Sequence, residues 1–308
     1  MKGNPVYKRE ITVSSRSIRL PIIMLIFNCI LALAAFLNMY SVTTQVEVTA
    51  EISYSSFLQL YVFLTMTEFL MLLFIMPALT AGSISGEREK QTLNLMLSTQ
   101  MTPGQIVFGK LLSSMFHMVL LVFSSFPVIS LVFVYGGIRL KDLVLLLLLY
   151  FSVALLSASF GIGFSAVCRR STVATAMSYG FLVFLLAGTY VVNVFIRSIT
   201  QMGRADYVNQ VGLMTSQANS GVFFYLLLLN PALTFSRVIG SQVGNQTFFI
   251  QVIQQFGNRL PNLVLEAWVP VSIGFQILLS GVFLMIAIRA IDPAPRKSGK
   301  RKRMKGGL

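Results

Sequence analysis

Two ionisable side chains sit inside long apolar runs, and they are the first residues with chemistry to perform. Glu68 lies in the run from 58 to 81 and His117 in the run from 108 to 134. At 1.5 Å per helical residue they fall roughly 20 and 15 Å into a membrane from the same side, near enough to meet. A charge at the bilayer centre costs a few kcal/mol or more, so such residues face a cavity or a partner and mark a transport pathway or proton relay. The other reading is a protonated Glu68 hydrogen-bonded to a neighbouring helix, with His117 as a satisfied packing residue.

The segment joining these two runs, 82 to 110, is charged in a different way. A helix from about Ser85 places Glu87, Arg88 and Lys90 at the membrane edge, with Leu93, Leu95 and Leu97 following. Thr102-Pro103-Gly104 then breaks the chain before a second short helix leads into the next run. Charged contacts plus an apolar stripe suit docking against another protein, whereas a solvated loop rarely carries so many leucines. Gly104 to Lys110 matches the first seven positions of a phosphate-binding loop, GxxxxGK[ST], but the eighth is Leu111. That loop needs a Ser or Thr hydroxyl for magnesium and a preceding strand, so the match is expected to be false and the chain to have no nucleotide site of its own. No zinc spacing, nucleophile elbow or redox pair appears. Cys29 lies in an apolar run and Cys168 abuts Arg169, so neither suggests redox chemistry.

What must position these residues is a membrane bundle. Of the 308 residues, 55% are hydrophobic and only 11% charged, and the mean hydropathy is +0.77. That is too little polar surface to cover a soluble particle, and it excludes disordered, collagenous and disulfide-scaffold classes. Crossing about 30 Å of hydrocarbon takes about 20 helical residues, and six runs qualify: 21 to 42, 58 to 81, 108 to 134, 143 to 167, 172 to 195 and 266 to 290. The expected fold is therefore an all-α polytopic membrane protein with six transmembrane helices. The first run is too long for a signal-peptide core and reads as a retained anchor. With both termini cytoplasmic, 18 of the 24 Lys and Arg fall on the inner side, which supports that orientation.

The stretch 222 to 235 is interrupted by Asn230 and Pro231 and too short to span alone. The region 196 to 265 therefore reads as an outer segment in which 221 to 240 forms a helix lying at, or dipping into, the membrane surface. Small residues at four-residue spacing (Ser157, Gly161, Ser165; Ala176, Gly180) let helices approach closely, within one chain rather than at a dimer face. The net charge of +14 is concentrated in a polybasic tail after 291, where seven cations each gain on the order of 1 kcal/mol beside anionic lipid. The tail has no interleaved aromatic residues, so the bilayer is the expected partner and nucleic acid is not.

The block Gly86-Glu-Arg-Glu-x-x-Thr-Leu-x-x-Met-Leu-Ser-Thr-x-x-Thr-Pro-x-x-Ile-x-x-Gly109-Lys110 resembles the signature of ABC-2 type export permeases. Asn4 to Glu10, followed by Arg16-Ser17-Ile18-Arg19, is similar to the amphipathic connecting helix of that family, and Leu229-Asn230-Pro231 resembles its outer region. The resemblance implies three parts: a connecting helix at 1 to 20, a six-span domain at 21 to 290 and a basic tail at 291 to 308. It implies the transmembrane permease subunit of an ATP-driven exporter in the cell membrane, not itself catalytic. ATP and magnesium would belong to a separate ABC ATPase subunit, and a second six-span permease, identical or related, would complete the pathway. The 82 to 104 segment would be the coupling helix, with Glu87, Arg88, Glu89, Thr92 and Leu93 at the ATPase and Arg9, Glu10 and Arg16 on the connecting helix beside it. Two other readings stay open: a proton-coupled secondary transporter using Glu68 and His117, and a non-transporting membrane sensor or scaffold. Apolar spans suggest an amphipathic or hydrophobic cargo, with drug or sodium export equally compatible.

Overall fold

The computed structural model describes residues 5–49, 54–98, 101–136, 139–211, 220–256 and 262–291. Among these the chain is helical throughout, without a strand. An amphipathic helix α1 (Pro5–Arg16) leads into α2 (Arg19–Thr49) and α3 (Tyr54–Thr80). Two short helices follow, α4 (Ser85–Glu89) and α5 (Thr92–Ser98), and then α6 (Pro103–Gly136) and α7 (Leu140–Val167). Next come α8 (Ser171–Val183), a π turn (Phe184–Gly188) and α9 (Thr189–Val211). A 3-10 helix (Gly221–Leu229), α10 (Pro231–Val243), α11 (Thr247–Phe256), α12 (Asn262–Glu266) and α13 (Trp268–Ile291) complete the chain.

Among the described residues six helices are long and apolar enough to cross a membrane, and they fall on the six expected runs. Two differences matter. The 82 to 104 segment is not one helix: Gln91, at φ 59°, turns the chain between α4 and α5. Nor is there a second short helix before the third span, because α6 starts at Pro103 and runs unbroken to Gly136. Thr102 and Gln105 cap it reciprocally, Gln105 N donating to Thr102 Oγ1 at 3.3 Å and Thr102 N to Gln105 Oε1 at 3.1 Å. Pro103 occupies the first helical position, where a missing N–H costs nothing. The sequence break was real, but it ends the preceding element and opens the span itself.

α7 is the axis of the bundle. Its small side chains, Ser157, Ala158, Ser159, Gly161, Gly163 and Ser165 among them, are buried against α13 and α3. A Cβ on Gly161 would collide with Thr80 Oγ1, and one on Gly163 would lie 2.9 Å from the Phe283 ring. The fourth-span stripe is thus used for packing within the chain, as its spacing suggested. Gly180 has nothing within 4 Å of an added Cβ, so the matching pair on the fifth span is not used that way.

Helices α1, α4 and α5 gather at one end of the bundle, the near end. The far end carries the start of α7 and the 3-10 helix with α10. The last two are bent by 79° at Asn230. Asn230 Oδ1 accepts from Ala232 N at 2.9 Å, and its amide donates to Leu186 O and Thr189 Oγ1, both at 2.9 Å. Leu186 lies in the π turn, where the widened winding leaves carbonyls for such a donor. From this bend α10 climbs back until Gln242 meets Tyr61 (2.7 Å) and the Asp142 carbonyl (2.8 Å). The 221 to 240 segment therefore enters the bundle and returns to the end it came from.

Candidate functional site

The near end concentrates the charged residues that the sequence singled out. One turn of α4 presents Glu87, Arg88 and Glu89 in succession, and each is bound to a different span. Lys110, on the first turns of α6, donates from Nζ to Glu87 Oε1 and to Glu10 Oε1 of α1, both at 3.0 Å. Its side chain is only 5% exposed, against 15% for Glu87 and 31% for Glu10. Arg88 donates to the carbonyls of Ala166 (2.9 Å) and Cys168 (3.1 Å), where the α7 dipole leaves unpaired acceptors and a partial negative charge. Glu89 accepts from the Ser171 backbone N at 2.8 Å and from its hydroxyl at 2.9 Å, at the amino end of α8. The Ser171 amide, and after it the hydroxyl, holds the exposed Glu89 carboxyl below the usual carboxylate range.

The rest of the element is tied down as firmly. Ile84 N and Ser85 N both donate to Ser165 Oγ of α7, at 2.9 and 3.0 Å. Thr92 Oγ1 bridges the α4–α5 turn to the Glu87 carbonyl at 3.1 Å. Leu93 is buried in the main core, and Met96 packs with Val6 and Ile106. What α4 and α5 leave exposed is a ridge formed by Glu89, Lys90, Gln91, Asn94, Leu95 and Ser98, with Leu95 67% exposed.

Helix α1 docks along α6 through a matched register. Glu10 and Ser14 are one turn apart on α1, and Lys110 and His117 are two turns apart on α6. Ser14 Oγ lies 2.6 Å from His117 Nε2, while Glu10 pairs with Lys110. Arg9 reaches the Met96 sulfur at 3.5 Å. The side chain of Arg16 lies outside the described residues. Beneath α1 a cavity of about 290 Å³ is lined by Glu10, Ser14, Lys110 and His117 together with apolar residues of α2.

Glu68 and His117 do not meet. Glu68 Oε1 accepts from Ser125 Oγ at 2.6 Å in the bundle core, and its Oε2 has no partner among the described residues. Ser125 stands eight residues beyond His117 on α6, roughly 12 Å along the helix. The two ionisable residues therefore sit in separate environments, one under α1 and one between α3 and α6. The segment Gly104 to Lys110 is helical, and its lysine faces carboxylates.

Sequence reasoning missed the inward partners Ser165, Ser171 and Lys110. The signal for Lys110 was present, since a lysine on the first turns of an apolar span needs counter-charges, and Glu87 lies just across the loop. Ser165 stood out only as a member of the small-residue packing stripe, and nothing marked Ser171 apart from its position at a helix end.

Residues 4–287 match the family profile described as ABC-2 family transporter protein. The chain belongs to the ABC-2 transporter family. This makes it a multi-pass membrane protein and the permease component of an ABC transporter. No curated protein matches it. In this ABC-2 permease, α4 together with Lys110 binds α1 and three spans into one assembly at the near end.

Proposed function

We propose that this permease forms the substrate pathway of an ATP-driven exporter and receives the work of ATP hydrolysis through α4 and α5. The observation that carries this reading is the division of labour on one short element. Glu87 and Arg88 point inward to the third and fourth spans and Glu89, at the exposed rim, bonds to the fifth, while the ridge from Lys90 to Ser98 is left exposed for a partner. A push on the ridge would be delivered to three helix ends by charge-assisted hydrogen bonds, which are stronger than neutral ones. This refines the expectation that Glu87, Arg88 and Glu89 themselves touch the ATPase. Glu87 and Arg88 act as transmitters, and Leu95, Asn94 and Lys90 make the contact. Glu10 and Arg9 on α1 support the same element from the membrane surface.

In this arrangement ATP and magnesium reside in a separate ABC ATPase subunit, and this chain is a non-catalytic partner. A second permease of the same layout completes the pathway in the cell membrane, with the near end and both termini cytoplasmic; the basic tail expected at anionic lipid lies outside the described residues. A proton relay from Glu68 to His117 is the weaker reading, because each is hydrogen-bonded to a different residue.

The test is Leu95→Asp in the permease co-expressed with its ATPase. The variant should insert and fold normally, since Leu95 contributes no core packing, yet fail to hold the ATPase through purification. Normal assembly with wild-type substrate-stimulated ATPase activity would refute the docking assignment.

A further inference from the structure

A second cavity lies away from the near end. It is a groove of about 920 Å³ between α3 and α10, with one wall residue, Asn38, from α2. Its floor is apolar, formed by Val62, Met66 and Phe69 of α3 and by Phe235, Ile239 and Val243 of α10. Phe69 and Phe235 stack at 4.4 Å and close it off from the bundle core. Towards the far end Gln59 begins the groove on α3 and Asn245 and Thr247 follow the last turn of α10, while Ser236, deeper on α10, donates its hydroxyl to Leu233 O of its own helix. Among the described residues no charged side chain lines it.

We propose that this groove is a binding site for a long-chain amphiphile with an uncharged, hydroxyl-bearing head, taken up from the membrane. Three features specify that chemistry. From Gln59 to Leu70 the groove runs roughly 16 Å, about half the hydrocarbon thickness, so it accommodates a tail the length of one leaflet. Its volume lies at the upper end of the range of small-molecule sites, roughly 300 to 1,000 Å³. Its polar groups are amides and hydroxyls without a charge, and Asn38 Oδ1 is buried on the wall with no donor among the described residues. An unpaired acceptor of this kind favours a ligand that brings an O–H, and with no lysine or arginine among the described lining residues a phosphate head has nothing there to pair with. The site is independent of how α4 and α5 couple to an ATPase, so either reading can fail alone.

The experiment uses the full chain in lipid nanodiscs without any ATPase. The probe is monopalmitoylglycerol carrying a diazirine on its chain, and adducts are mapped by mass spectrometry. Adducts should concentrate on 58 to 70 and 232 to 248, saturate, and be displaced by unlabelled monopalmitoylglycerol but not by the equivalent lysophosphatidic acid. Filling the groove with Met66→Trp and Ser236→Trp should cut groove adducts at least fivefold, whereas Leu278→Trp, an equal bulk on the exposed face of α13, should not. Asn38→Leu should weaken displacement by roughly fivefold, as for one lost hydrogen bond. Labelling that never saturates, or that is as dense on 278 to 285 as in the groove, would overturn the proposal on the wild-type chain alone. Equal displacement by lysophosphatidic acid would overturn the head-group assignment. Disulfide-linked dimers of a Met66→Cys variant would give the groove to a second copy of the chain and overturn the proposal as well.

Discussion

Lys110 offers the most direct test of the near-end assembly. Replacing it with Met keeps the length of the side chain and removes one charge. Two carboxylates, Glu10 and Glu87, are then left facing each other around an apolar tip. Breaking a buried ion pair by removing one partner costs about 3 to 5 kcal/mol. Here Glu10 is almost a third exposed and can turn to water, so the Glu10 part shrinks towards the fraction of a kcal/mol typical of surface pairs. Glu87, 15% exposed, retains most of its penalty. The expected net loss is about 2 to 4 kcal/mol, centred on the α1–α4–α6 junction.

The loss should appear as easier denaturation of the reconstituted chain and as faster proteolysis within α1, since Glu10–Lys110 and Ser14–His117 are the polar ties of that helix to α6. The decisive control is the triple change Lys110→Met, Glu10→Gln, Glu87→Gln. Removing all three charges together leaves no uncompensated group, and replacing a buried pair in this way is often neutral. Stability should return to within about 1 kcal/mol of wild type, while substrate-stimulated ATPase activity of the complex stays impaired. If Lys110→Met were as stable as wild type, or if the triple variant were no better than the single one, the triad would not be holding the junction.

Arg88→Gln should leave the six-span bundle assembled but cost about 2 to 3 kcal/mol, because two charge-assisted bonds to the α7 carboxyl end are lost; chemical denaturation in nanodiscs reads it, and an unchanged midpoint would count against the clamp. Gly161→Leu should abolish folded expression, because even a Cβ collides with Thr80 Oγ1; a well-folded variant would show that α3 and α7 can separate at this point. A cysteine at the exposed Gln251 of α11 should react with an impermeant maleimide in intact cells, and reaction only after permeabilisation would reverse the proposed orientation.

Fold class was legible because it depends on few variables. Run length and charge spacing report the number of spans, and all six runs coincide with long apolar helices among the described residues. Local signals at helix ends were legible too, as at Thr102-Pro103 and Asn230-Pro231. Periodicity could not show where side chains go once α4 and α5 fold back on the bundle. Glu87 and Arg88 look from sequence like surface charges offered to a partner, yet they are turned inward, because the near ends of α6 and α7 supply a lysine and two bare carbonyls, while an amide of α8 holds Glu89. Those groups are distant in sequence and, apart from Lys110, carry no residue-type signature, so only the tertiary arrangement reveals them.

The same arrangement explains how a five-residue helix can stand at the membrane edge at all. So short a helix has no intrinsic stability, since nucleation costs more than its few hydrogen bonds return. α4 persists because its ends and side chains are bonded to other elements: Ser165 takes the N–H groups of Ile84 and Ser85, and Thr92 ties back to Glu87. Its stability is therefore borrowed from the spans, and its position must follow theirs. Any movement of the α6, α7 and α8 ends relative to one another requires α4 to shift or its bonds to break. By reciprocity, a partner that displaces α4 biases the relative placement of those spans. An element stabilised this way transmits motion better than a self-sufficient helix would, because it has no independent fold in which to remain when the spans move.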